Sequence, residues 1–133
     1  MPDRARLALL ASDTDRAQAA AATLGANGSW VPLAEADAVV VIGGDGFMLQ
    51  TLHAMLDDGP LIPAYGLNHG TVGFLMNRAK SSRDIFDRVA RARSVAVAPL
   101  AMTATTREGT QHSFCAINEV SLLRETQIGR AHV

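Results

Sequence analysis

Apolar positions fall first into short unbroken runs separated by helical patterns, and later into alternating ones. Residues 6–11 (RLALLA) form a short apolar run, and Ser12-Asp13-Thr14-Asp15 after it is a cluster of helix-start residues. Residues 14–24 are alanine-rich and predict a helix, closed by Gly25 and Asn27-Gly28. Residues 38–42 (AVVVI) are apolar at every position and mostly β-branched, as a strand covered on both faces of a parallel sheet must be. Residues 47–56 carry a helical apolar face that stops before Asp57-Asp58-Gly59-Pro60. Residues 61–67 (LIPAYGL) read as the next strand, with Pro63 near its start or edge. Residues 81–93 predict an amphipathic helix with Ile85, Phe86 and Val89 on its apolar side. This alternation predicts an α/β domain with a parallel sheet and right-handed crossovers.

The rhythm changes near residue 94. Residues 95–98, 101–107 and 112–118 are strand-like, Glu108-Gly109 reads as a hairpin turn, and residues 119–124 continue the alternation. The expected organisation is a three-layer α/β nucleotide-binding domain over residues 1–93, then the opening strands of a β-rich second domain over 94–127. The last six residues, IGRAHV, break the strand pattern. They match the reading-frame translation of a common sequencing adapter, and residues 128–133 are therefore expected to be a non-native tail on an interrupted gene.

Composition narrows the class. The chain has 133 residues, 48% of them hydrophobic and 19% charged, which suits an ordinary globular protein of about one domain. A net charge of −1 gives no electrostatic footprint for nucleic acid or an anionic membrane. No apolar run approaches the roughly 20 residues of a membrane span, and the first residues turn polar too early for a secretory signal. The single cysteine, Cys115, excludes an internal disulfide and suits a reducing cytoplasm, the expected location.

Three segments carry candidate chemistry. In the first, Gly43-Gly44-Asp45-Gly46 follows the most apolar strand. Glycines there let backbone N–H groups approach a phosphate or ribose, and the helix that follows directs its positive end to the same place. A carboxylate beside phosphate oxygens is tolerable if it orients a metal–nucleotide or accepts a proton from an attacking hydroxyl, so phosphoryl transfer is a natural role for Asp45. The plainer alternative is that Asp45 caps a helix and the glycines make a tight turn. The second segment, residues 65–77 (YGLNHGTVGFLMN), sets Gly66, Gly70 and Gly73 around Asn68 and His69. Its spacing is not the dinucleotide fingerprint, and the chain has no Walker A sequence. Asn68 offers amide hydrogen bonds, and Phe74 offers either a flat face for a ring or ordinary core packing. His69 reads as a turn residue and His53 as a helix-surface or core residue. The third segment, residues 116–125, interrupts a strand with Asn118 and Glu119, either as an edge feature or as groups that bind ribose hydroxyls.

In this order and with these separations, GGDG at 43–46, GLNHGTVGFL at 66–75 and INEV at 117–120 resemble the NAD kinases, over residues 6 to about 127. GGDG alone is shared with phosphofructokinases and with diacylglycerol and sphingosine kinases. The resemblance implies transfer of a phosphoryl group from ATP with Mg²⁺ or another divalent metal, or from polyphosphate, to the 2′-hydroxyl of the adenosine ribose of NAD. It implies that Asp45 accepts the hydroxyl proton and that Asp45 and Gly46 lie against NAD. Phe74 would pack near the adenine, Asn118 and Glu119 would bind ribose and nearby polar groups, and Gly43 and Gly44 would admit the donor phosphates. No residue is assigned as a metal ligand. The full-length protein is expected to be a homo-oligomer with small-molecule substrates and neither nucleic-acid nor membrane partners. Two features depart from the family. Phe47 stands where many members have Thr or Ser, and the chain stops before the family's further aspartate and Gly/Thr/Ser/Ala/Tyr motif. The 133-residue product is therefore expected to be inactive and prone to associate. The alternatives are a diacylglycerol- or sphingosine-type lipid kinase and a non-catalytic nucleotide-binding module.

Overall fold

The strand buried at every position, β2 (Ala38–Ile42), lies between β1 (Leu7–Ala11) and β3 (Ala64–Asn68). A two-residue strand, β4 (Asn77–Arg78), completes a four-stranded parallel sheet in the order β1-β2-β3-β4. The computed structural model describes residues 5–69, 75–79, 84–96, 98–117, 121–123 and 130–132, in two units, Met1–Ser94 and Val95–Val133.

Strand alternation sorts the first unit's core onto two faces. Leu7, Val40, Ile42 and Leu67 face α1 (Asp15–Ala26), which packs through Ala17, Ala20, Ala21 and Leu24, and α3 (Ile85–Arg91), which packs through Ile85. Ala8, Val39 and Val41 face α2 (Asp45–Asp58), which packs through Met48 and Met55. The sheet is therefore the middle of three layers, and the unbroken apolar run of β2 is explained by cover on both sides.

The path between α1 and β2 matters for function. The Arg6 carbonyl accepts from Asp37 N on the β2 side, whereas the Leu7 carbonyl accepts the N–H of Val31 at 2.9 Å. Successive carbonyls of a strand point to opposite edges, so Val31 lies along the outer edge of β1. The chain then returns past a 3₁₀ turn at Leu33–Glu35, where Leu33 and Ala36 pack on the α2 face, and enters β2. Winding thus runs outward from β1 in one direction and outward from β2 in the other. With α1 and α2 on opposite faces, the two steps share one hand, and the reversal falls between neighbouring strands.

Element boundaries depart from the sequence pattern where backbone bonding overrules hydropathy. The strand expected from residue 61 starts at Ala64, because Leu61 is 71% exposed and Pro63 joins the ladder through its carbonyl alone. α2 starts at Asp45, two residues earlier than its apolar face suggests, since Gly44 serves as its N-cap. α3 spans Ile85–Arg91, and the part of the expected helix at residues 81–83 lies outside the described residues.

In the second unit β5 (Leu100–Thr105) and β6 (Gln111–Ala116) form an antiparallel hairpin. Its turn is centred on Arg107-Glu108, closed by Gly109 N–H to the Thr106 carbonyl at 3.0 Å, and Gly109 takes a φ of 85° that favours glycine. Val95, Ala96 and Ala98 form no strand, although β-branched composition suggested one. Ser121–Leu123 (β7) pairs antiparallel with Arg130–His132 (β8), so part of the segment expected to break the strand pattern is a strand. Pairing needs only backbone groups, and Arg-Ala-His carries no hydropathy signal for it.

Candidate functional site

Loops that leave parallel strands emerge at the carboxyl edge of the sheet, and a crevice opens where the winding reverses. Here that point lies between β1 and β2. A cavity of about 290 Å³ occupies it, lined by Ser12, Thr14, Arg16 and Ala17 after β1, Ile42, Gly43 and Gly44 at the end of β2, and Asn68 and His69 at the end of β3.

Asp45 occupies the first turn of α2, and the N-cap is Gly44, which makes no side-chain capping bond. Asp45 is therefore not the cap. Its Oδ1 instead accepts the backbone N–H of Leu75 at 2.9 Å, so the carboxylate joins the two glycine-containing loops that the sequence singles out. The glycines around it differ in purpose. A Cβ on Gly43 would lie 3.1 Å from Cδ2 and 3.2 Å from Cβ of Phe47, so the bare backbone there lets Phe47 fold over the loop. Gly44 and Gly46 would have nothing within 4 Å of an added Cβ, and both lie open to a ligand.

The loop after β3 is held at several points. The Asn68 carbonyl accepts from Ala79 N at 3.2 Å, and Asn77 Nδ2 donates to the Gly66 carbonyl at 3.0 Å. Arg88 of α3 donates to the carbonyls of Arg78 and Ala79 while its guanidinium lies 5.7 Å from the centroid of the Tyr65 ring. Arg16 Nη1 donates to the His69 carbonyl at 3.2 Å. Gly66 is close-packed for a different reason: a Cβ there would lie 2.5 Å from Met76 Sδ and 2.9 Å from Met48 Cε.

Of the residues expected at the site, Gly43, Gly44, Asp45, Gly46 and Asn68 therefore sit together at one sheet edge. Gly70, Gly73, Phe74, Asn118 and Glu119 lie outside the described residues. His69 is an exposed residue after β3, and His53 is a partly buried residue of α2. Arg16 was not anticipated. Its signal was positional: it lies in the first turn of α1, five residues past the end of β1, the strand beside the GGDG strand.

Among the described residues, no three His, Cys, Asp or Glu side chains cluster where they could hold a metal ion. No helix of the described residues is long and apolar enough to cross a membrane.

No family model matches the chain. Curated relatives do. The chain is 55% identical over 123 residues to a protein of Rhizorhabdus wittichii named NAD kinase, covering 92% of this chain and 47% of that relative. It is 50% identical over 122 residues to the NAD kinase of Zymomonas mobilis, covering 92% and 47% respectively. It is also 50% identical over 121 residues to an NAD kinase of Cereibacter sphaeroides, covering 90% and 46%. The chain spans about half the length of the curated relatives it matches.

Proposed function

We propose, from the premise that nearly the whole of this chain is similar in sequence to NAD kinases, that it forms the GGDG-bearing part of an enzyme that phosphorylates NAD to NADP. The acceptor is the 2′-hydroxyl of the adenosine ribose, and the donor is ATP or polyphosphate. Asp45 takes the hydroxyl proton as the 2′-oxygen attacks the donor's terminal phosphorus. The bond from that phosphorus to the leaving phosphate oxygen breaks, and the leaving group departs with its electron pair. Such transfer is catalysed by positioning and charge neutralisation, to which a well-placed base adds typically about 10²–10⁴-fold.

The observation that carries this reading is the position of Asp45: a carboxylate in the first turn of α2, between open glycines, bonded to the loop after β3. Gly43 and Gly44 admit the donor, and Asp45 and Gly46 lie against NAD. Phe74, Asn118 and Glu119 complete the acceptor side, at the adenine and the ribose. A divalent ion carried by the donor's own phosphates would neutralise part of their charge. The complete protein works in the cytoplasm as a homo-oligomer. The test is ³¹P detection of 2′-phosphorylated product with NAD, NADH and a diacylglycerol acceptor compared. NADP formation supports the reading, whereas phosphorylation of the lipid alone overturns it.

A further inference from the structure

We propose that Arg16 is the cationic residue that holds the donor's phosphate chain in the cavity between β1 and β2. This rests on the kinase reading and deepens it, because neither the GGDG loop nor the loop after β3 contains Arg16.

The lining carries the argument. Among the described residues that line it there is no carboxylate, and Arg16 is the one permanently charged side chain. Ser12 and Thr14 add hydroxyls from the same loop, and Gly44 leaves its backbone open, with nothing within 4 Å of an added Cβ. Asp13 and Asp15 are exposed in that segment but do not line the cavity. An anion with several oxygens is the ligand this combination suits.

Size points the same way. Sites that enclose a drug-sized ligand run from about 300 to 1,000 Å³. At about 290 Å³ the cavity lies at the lower limit, which suits a phosphate chain better than an entire nucleoside triphosphate. The described residues of its lining include no Phe, Tyr or Trp on which a purine would stack. The described lining therefore suits the phosphates of a donor.

Arg16 is also held in place. Its Nη1 donates to the His69 carbonyl at 3.2 Å, which fixes the side chain from α1 against the loop after β3. A guanidinium carries five donors in a planar fork, so one such bond positions the group without exhausting it. The fork matches two oxygens of a phosphate.

The experiment is calorimetry on the whole 133-residue chain with inorganic tripolyphosphate and with ATP, each with Mg²⁺, comparing wild type, Arg16→Ala and Arg16→Lys. Both probes are expected to bind wild type. Arg16→Ala should weaken each by about tenfold or more, as expected for loss of a charge-assisted bond, and Arg16→Lys should restore part of the loss. Amide resonances of Gly43 and Gly44 should shift with tripolyphosphate, and the unfolding midpoint of Arg16→Ala should match wild type. Failure of wild type to bind either probe overturns the proposal, as do equal affinities in Arg16→Ala and wild type. Binding of ATP without tripolyphosphate overturns it too, because recognition would then lie in the nucleoside. A probe bound here, with a complete enzyme carrying this part forming no NADP, upholds this assignment and counts against the kinase reading alone.

Discussion

The carboxylate of Asp45 accepts the backbone N–H of Leu75 at 2.9 Å, joining the start of α2 to a loop 30 residues further along the chain. A side chain proposed to accept a proton is thus also a structural tie. The two duties are separable, since an amide oxygen still accepts an N–H but is a poor proton acceptor.

Asp45→Asn should keep the Leu75 bond and lose the base. In a complete enzyme carrying this part, turnover in NADP formation should fall by about 10²–10⁴-fold, while NAD affinity and the unfolding midpoint stay close to wild type. Asp45→Ala should lose both duties and lower the unfolding midpoint as well. Near-full turnover in Asp45→Asn would remove the base assignment.

Leu7→Ala tests the core. Leu7 has no solvent exposure and packs in the cluster under α1, so truncation should cost about 2–5 kcal/mol in urea unfolding. Leu61→Ala, at a position 71% exposed, should change stability by no more than about 0.5 kcal/mol. Similar losses in the two variants would contradict the packing described.

The parts that could be read from sequence are those whose physical cause is local. Full burial of β2 demands apolar residues at every position, and an unbroken AVVVI is what that looks like. Asp45 stood out because glycines flank it after such a strand. Arg16 was hidden, because it sits in an ordinary helix-favouring stretch and reaches the crevice only through the order of the strands. Nothing in the residue types of that stretch shows the Val31 to Leu7 bond, which places the reversal beside β1. Val95, Ala96 and Ala98 misled in the other direction: the composition of that stretch favours a strand, but a strand also needs a partner.

Gly66→Ala should destabilise. The added methyl would lie 2.5 Å from Met76 Sδ and 2.9 Å from Met48 Cε, and overpacking of this kind costs typically about 1–3 kcal/mol. Both obstacles are ends of flexible side chains, so a loss near the lower figure is expected in thermal or urea unfolding. No measurable loss would mean that the methionines move aside freely.

Thr14→Ala removes a helix cap. Thr14 Oγ1 accepts the N–H of Ala17 at 3.2 Å, and losing such a bond costs about 0.5–2 kcal/mol. Thr14→Ser should keep most of that stability. Equal stability of the alanine and serine variants would show that the cap contributes nothing.

Phe114→Thr should reduce self-association. Phe114 is 46% exposed on β6, and Leu100 on β5 is 50% exposed. Threonine keeps the strand preference and removes the large apolar surface. Sedimentation velocity should show a smaller associated fraction at equal concentration, and an unchanged distribution would mean that contact between copies lies elsewhere.

The two helices that reach the crevice rest on the sheet through different materials. α1 contributes Ala17, Ala20 and Ala21 around Leu24, short side chains with few rotamers, so its bed is stiff. α2 rests through Met48 and Met55, with Met76 beside them, and unbranched thioethers reshape at little cost. The helix that carries Arg16 is consequently firmly seated, and the one that carries Asp45 is compliant. On the proposed reading, the donor would be held still while the proton-accepting carboxylate settles against the sugar.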